Sequence, residues 1–344
     1  MSSMRNYVIR RLLLIIPTLI GLTLLIFSLS QLFDPIERAS LYIRDPRQAR
    51  NVEGIIKKYG LDAPVYVQYF RWMSALLEGN LGWSKSANMK VSDAIATFLP
   101  ATFELVIFSV PLIVIIGVYL GKISALHKDR FADHFTRVLA IVGWSLPSFW
   151  LGIVLMAVVY GETGLFPPGR LGVEASNFVN SPNFIRYTGA NTIDAILNGQ
   201  WWIFLDAIQH IVLPTITLTT INIALIMRVM RSSMLESLNK TYVLAARAKG
   251  LDEKEVINKH ATRTALIPVI TLSGILFAAL LSGVVITETV FNYPGLGYWA
   301  AHAATQLDFP AVLGFALFSG MLFLTANLIV DILYAYIDPR IRLG

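Results

Sequence analysis

The chain has 344 residues, of which 55% are hydrophobic and 15% charged, with a net charge of +6 and no cysteine. Soluble domains run near a quarter charged. The deficit comes from long stretches with no charge at all, as a hydrocarbon solvent demands, so an ordinary soluble domain is excluded. In a membrane protein cations collect at the cytoplasmic face and near anionic lipid, so the positive balance is no nucleic-acid signal. The absence of cysteine excludes disulfides, thiolate metal sites and a cysteine nucleophile.

Six uncharged runs of 17 to 24 residues follow one another: Leu12–Phe33, Leu105–Gly121, Val138–Gly161, Ile211–Met227, Thr264–Thr287 and Phe309–Val330. At about 1.5 Å per residue each crosses, or nearly crosses, a hydrocarbon core about 30 Å thick. The first run follows Arg5, Arg10 and Arg11 and ends without a small-x-small cleavage site, so it is expected to be an uncleaved span. The second and fourth are short and extend backward if they accept Glu104 and His210. Prolines 17, 111, 147, 214 and 268 lie inside five of the spans as candidate kinks. The fold class expected is an all-α polytopic membrane protein of about six spans, one transmembrane domain over residues 1–344.

Between the spans, residues 34–104 form a long segment with a helix expected from Asp62-Ala63-Pro64 to Leu77 and a stop at Gly79. Trp83, Trp201, Trp202 and Trp299 suit an outer interfacial belt. With the N-terminus inside, Lys and Arg number 17 on inner segments against 11 on outer ones. Nine of those eleven lie in the long segment 34–104, where charge counts for little. Both termini are therefore placed in the cytoplasm and residues 34–104 outside.

The cytoplasmic loop 228–263 carries the most informative residues. Thr241–Lys249 reads as a short helix, with Arg247 and Lys249 near its C-terminal dipole and Gly250 as a left-handed stop. Asp252 then caps a second helix, with Glu255 at the capping-box position and Leu251 and Val256 as a hydrophobic staple. Ala245, Ala246 and Ala248 make the first helix a small-residue knob that another backbone approaches closely. Two readings of this knob stay open: insertion into a partner, or a basic amphipathic loop resting on anionic lipid.

Ala245-Ala246-x-x-x-Gly250-Leu251-Asp252, followed by His260-Ala-x-Arg-x-Ala-Leu-Ile-Pro268, resembles the EAA motif of ABC-importer permeases. Leu244 stands where the general pattern has glutamate, which favours the dipeptide/oligopeptide/nickel branch. Further pieces resemble that branch in order: Tyr59-Gly-Leu-Asp-x-Pro64, Gly79-Asn-Leu-Gly82-Trp83-Ser84, Leu99-Pro-Ala-Thr-Phe-Glu-Leu105, Leu146-Pro-Ser-Phe-Trp-Leu-Gly152, Glu288-Thr-Val-Phe-x-x-Pro-Gly-Leu-Gly297 and Asp338-Pro-Arg-Ile-Arg342. The resemblance implies a type I importer fold, with residues 245–252 as the helix that couples to an ATPase. It also implies a sister permease, two ATP-binding subunits and an extracytoplasmic solute-binding protein. The branch carries peptides, oligosaccharides or nickel.

No G-x-x-x-x-G-K-[ST] occurs, so nucleotide chemistry is expected on a separate polypeptide. No catalytic set, cofactor site or metal site is expected; His210 and His260 stand alone. An ion-gradient transporter is the competing class, which calls for internal repeats and mid-membrane ionisable groups. Neither shows here: the span interiors read as uncharged, and Glu288 and Asp331 border their spans. Pathway-lining residues are not legible.

Overall fold

In hydrocarbon a backbone N–H or C=O has no partner but the chain itself, so the apolar runs fold as helices. The computed structural model describes residues 4–43, 45, 47 and 51–337. Five helices are long and apolar enough to cross a membrane: α1 (Met4–Ser30), α4 (Val91–Leu126), α9 (Trp201–Leu238), α11 (Glu253–Leu281) and α14 (Phe309–Ile337). The sixth span is a bent pair, α5 (Phe131–Ser145) and α6 (Ser148–Thr163), meeting at 97°. The motif Asp338–Arg342 lies outside the described residues.

Of the five internal prolines only Pro147 breaks its helix. Pro17, Pro111, Pro214 and Pro268 stay within helical stretches. Proline pushes the residue before it out of the helical region, and Leu146 is extended at ψ 128°. The fifth span ends earlier than the apolar run. Helix α11 stops at Leu281, Gly283 takes φ +118°, and a separate helix α12 (Val285–Val290) follows. Composition hides this stop, because Ser282-Gly283-Val284 carries no charge.

Helices α4 and α9 run side by side at the centre. Both start at the end expected to face outward, here called the outer end. They approach at small residues, as helices in lipid do. A Cβ on Gly121 would lie 2.7 Å from the Met227 carbonyl oxygen, and one on Gly143 of α5 2.7 Å from that of Thr220. Leu105, Ile113, Ile226, Met230 and Met234 fill the core between them. At the inner end Arg231 of α9 grips buried Asp133 of α5 through two bonds of 2.7 and 2.9 Å, and Ser124 of α4 donates to the same carboxylate. Helix α1 packs on α14, with Arg11 paired to Asp331 at 3.1 Å.

The segment after α1 has a small core of its own, built from Leu41, Tyr42, Ile55, Leu61 and Ala75. Helices α2 (Val52–Tyr59) and α3 (Val65–Leu77) and a hairpin of β1 (Trp83–Ser84) and β2 (Met89–Lys90) belong to it. The expected stop is present, Gly79 at φ +76°, although the N-cap is Pro64 rather than Asp62. Helix α3 leans on α1 through Phe27, 5.3 Å from the Tyr69 ring, and through a 3.0 Å bond between Thr23 and Tyr69. Asp308, fully buried, accepts bonds of 2.8 Å from the Ser84 hydroxyl and the Ser86 backbone, which pins the hairpin to the start of α14.

Candidate coupling surface

Helix α9 continues about three turns beyond Met227, still seated in the core through Met230 and Met234. The chain turns at Asn239-Lys240 and forms α10 (Thr241–Ala248). Gly250, at φ +81°, reverses the direction after α10; an L side chain there would meet the left-handed penalty. The Leu251 amide reaches back to the Ala246 carbonyl. Asp252 has extended dihedrals and accepts from the Lys254 amide at 3.2 Å, opening α11, whose Val256–Ala261 turn is π-helical.

The expected capping box is only half made, because Glu255 turns to Lys259 at 2.6 Å instead of to the Asp252 backbone. A different clamp closes the turn. Arg247 makes two bonds, 2.6 and 3.1 Å, to Glu253 across Gly250. The Glu253 hydrogen bond raises the Arg247 pKa above its ordinary value, so the guanidinium stays charged.

The faces of α10 divide sharply. Val243 and Ala246 are buried and join the main core with Val256, Ala261 and Met234. Tyr242, Leu244, Ala245, Arg247, Ala248, Lys249, Gly250, Leu251 and Asp252 are exposed. Seven of the eight residues expected to contact a partner therefore lie outward. Ala246 is the exception: at 6% exposure it is the seat of α10 on its own protein. Its position one residue from Ala245 puts it about 100° round the helix, onto the inner face. Lys249 has no ion-pair partner among the described residues.

A second constellation, at the outer end, is absent from the linear reading. Glu104 of α4 is buried and accepts from Arg170 at 2.8 Å, the Tyr293 hydroxyl at 3.0 Å and the Thr192 amide at 2.6 Å. Burial pulls the Arg170 pKa down, but Glu104 and Tyr293 together more than offset it and leave it above its ordinary value. Two residues away Thr102 donates to Glu288 at 2.6 Å, and Glu288 also accepts from the Tyr298 amide at 2.7 Å. The second span does extend backward through Glu104, as expected, and takes that carboxylate in buried. Glu288, at the edge of the fifth apolar run, is fully buried as well, which its border position did not show. The glycines of Pro294-Gly-Leu-Gly297 make room for it: a Cβ on Gly295 or Gly297 would stand 2.5 or 3.0 Å from a Glu288 oxygen. Trp299 is corrected too. It starts no interfacial belt but stacks on Phe98 at 5.8 Å within helix α13 (Leu296–Thr305), 2% exposed. Together these bonds tie the loop at Arg170 ahead of α7 (Val173–Val179), helix α8 (Asn191–Leu197), the turn before α13 and α4 into one outer cap. The groups are paired structurally, and no group of three or more potential metal ligands occurs among the described residues.

Five spans, a broken sixth and an ordered helix–turn–helix beyond the bundle define a polytopic helical membrane permease. Residues 113–343 match the family described as binding-protein-dependent transport system inner membrane component, and residues 4–106 match the N-terminal region of such components. The chain belongs to this family, as a permease subunit of the peptide-type branch of ABC importers with the type I fold, and is a multi-pass inner-membrane protein. It is 39% identical to the probable D,D-dipeptide transport system permease of Escherichia coli K12, over 324 residues and 94% of both chains. It is 38% identical to the dipeptide permease of Alkalihalophilus pseudofirmus over 98% of this chain and 100% of that one. Against the oligopeptide permease of Bacillus subtilis the identity is 36% over the same shares.

Proposed function

We propose that the chain is one half of the membrane channel of an ATP-driven importer of di- and oligopeptides, and that α10 transmits the ATPase stroke. The observation that carries this is the division of α10 into a face seated in the core and an exposed face on which Ala245 and Ala248 stand among Leu244, Arg247 and Lys249, held rigid by Gly250 and the Arg247–Glu253 clamp. A lever must be stiff where it joins the spans and shallow where it docks. Helix α10 is joined to α9 by the turn at Asn239-Lys240 and to α11 by the turn at Gly250, so motion of the knob reaches both spans through two short connections.

The substrate class rests on the relatives, whose names specify dipeptides or oligopeptides. The partners this reading needs are a sister permease, two ATP-binding subunits and an extracytoplasmic solute-binding protein that docks at the outer cap and the segment 34–104. ATP closure of the ATPase pair would draw in the two knobs and open the path outward; hydrolysis would reset it. The chain itself hydrolyses nothing and takes no cofactor.

The test is purification of the tagged chain with its companions, reconstitution, and ATPase assay with binding protein and peptide. Wild type is expected to be stimulated by peptide. Ala245→Asp and Ala248→Asp, both on the outer face, are expected to insert normally yet lose stimulation, because a carboxylate is forced into the docking cleft. Peptide-stimulated ATPase unchanged in both variants would refute the docking role.

A further inference from the structure

The inner end of the groove between α5 and α9 contains a cavity of about 400 Å³ that the transport reading does not use. Arg137, Arg228 and Arg231 line it, on walls that include Ile141, Trp144 and Met227. Arg137 directly precedes the apolar run that starts at Val138, and Arg228 directly follows the run that ends at Met227. Two helices of opposite direction thus place two cations at one depth, the inner edge of the hydrocarbon. Arg231 is neutralised by Asp133. Arg137 has no partner among the described residues, and Arg228 has no carboxylate there.

Arg228 also points the wrong way for a residue seeking water. Helical side chains lean toward the N-terminus, which in α9 is the outer end, so Arg228 leans into the membrane. Its Nε lies 3.4 Å from the Ala224 carbonyl one turn deeper, and its guanidinium sits 5.3 Å from the Trp144 ring. The Trp144 backbone is about 10 Å further along α5 than that of Arg137, and its side chain leans back toward the inner end, so the Trp144 and Arg228 side chains meet between those depths. A guanidinium drawn down among apolar walls calls for an anion.

We propose that this cavity binds an anionic phospholipid of the inner leaflet, its phosphate between Arg137 and Arg228 and an acyl chain along Ile141 and Trp144. Basic pockets between spans on the cytoplasmic side suit such headgroups. The walls favour a lipid over a peptide carboxylate. Beyond the two arginines α5 presents Val138, Ile141 and Trp144, all exposed, a surface for acyl chains rather than for a hydrated polar solute. The site does not depend on the transport reading.

The test is native mass spectrometry of the full chain, with whatever subunits accompany it, extracted from nanodiscs of equal phosphatidylglycerol and phosphatidylcholine. Wild type is expected to retain phosphatidylglycerol selectively. Arg137→Gln and Arg228→Gln should each lower that retention about fivefold, and the pair should abolish the selectivity. Arg137→Lys/Arg228→Lys should keep most of it, and Lys128→Gln, elsewhere on the inner surface, all of it. Selectivity unchanged in the double glutamine variant would overturn the proposal. So would displacement of the lipid by a dipeptide or by inorganic phosphate, or a sister permease found cross-linked to position 137 in place of lipid. If the double glutamine variant fails to insert, the two single variants decide.

Discussion

Replacing Glu104 by glutamine removes the only carboxylate that faces Arg170 among the described residues. Glu104 is 2% exposed and Arg170 15% exposed, so both charges are largely out of water. Breaking a buried pair from one side costs about 3–5 kcal/mol, because the surviving charge stays buried without compensation. Residual exposure lets water reach Arg170, which places the expected cost near the lower end, about 3 kcal/mol. Arg170→Met alone should cost a similar amount by stranding Glu104, although the Thr192 amide and the Tyr293 hydroxyl still serve it. The double variant leaves no uncompensated charge, so it should be more stable than the sum of the singles predicts, with a coupling of about 1–3 kcal/mol. The assay is thermal unfolding of the detergent-purified protein, run on all four members of the cycle. Singles that melt within a degree of wild type, or losses that simply add, would refute the claim that this pair holds the outer cap to α4.

Three further outcomes follow from the same structure. Gly250→Ala should place a Cβ at φ +81° at a local cost of about 1–2 kcal/mol, so peptide-stimulated ATPase should fall while the amount of inserted protein stays constant. Gly143→Val should push α5 from α9, since even a Cβ there lies 2.7 Å from the Thr220 carbonyl oxygen; a lower melting temperature checks it. Gly164→Ala, where an added Cβ would meet no atom within 4 Å, should have a much smaller effect, through φ alone. Asp308→Asn should loosen the hairpin, because one carboxylate oxygen serves the Ser84 hydroxyl, the Ser86 amide and the Ser86 hydroxyl; faster cleavage near residues 84–90 in limited proteolysis is the readout.

Local patterns along the chain specify the solvent, about six spans, and the turn that ends α10 and opens α11. Twenty apolar residues satisfy hydrocarbon wherever they occur, and Gly250 followed by Asp252 ends one helix and starts another through short-range backbone chemistry alone. The 97° break at Pro147 was half legible, since proline marks a weak point but four other internal prolines left their helices continuous. Which face of α10 is free was not legible. Ala245, Ala246 and Ala248 are chemically alike, and only the packing of α9 and α11 decides that Ala246 is the one turned inward. The outer cap lay furthest from view. Glu104 meets Tyr293 and Thr102 meets Glu288 across more than 180 positions of chain, and a carboxylate at the edge of an apolar run reads as solvated until the tertiary fold brings its donors and closes it off from water.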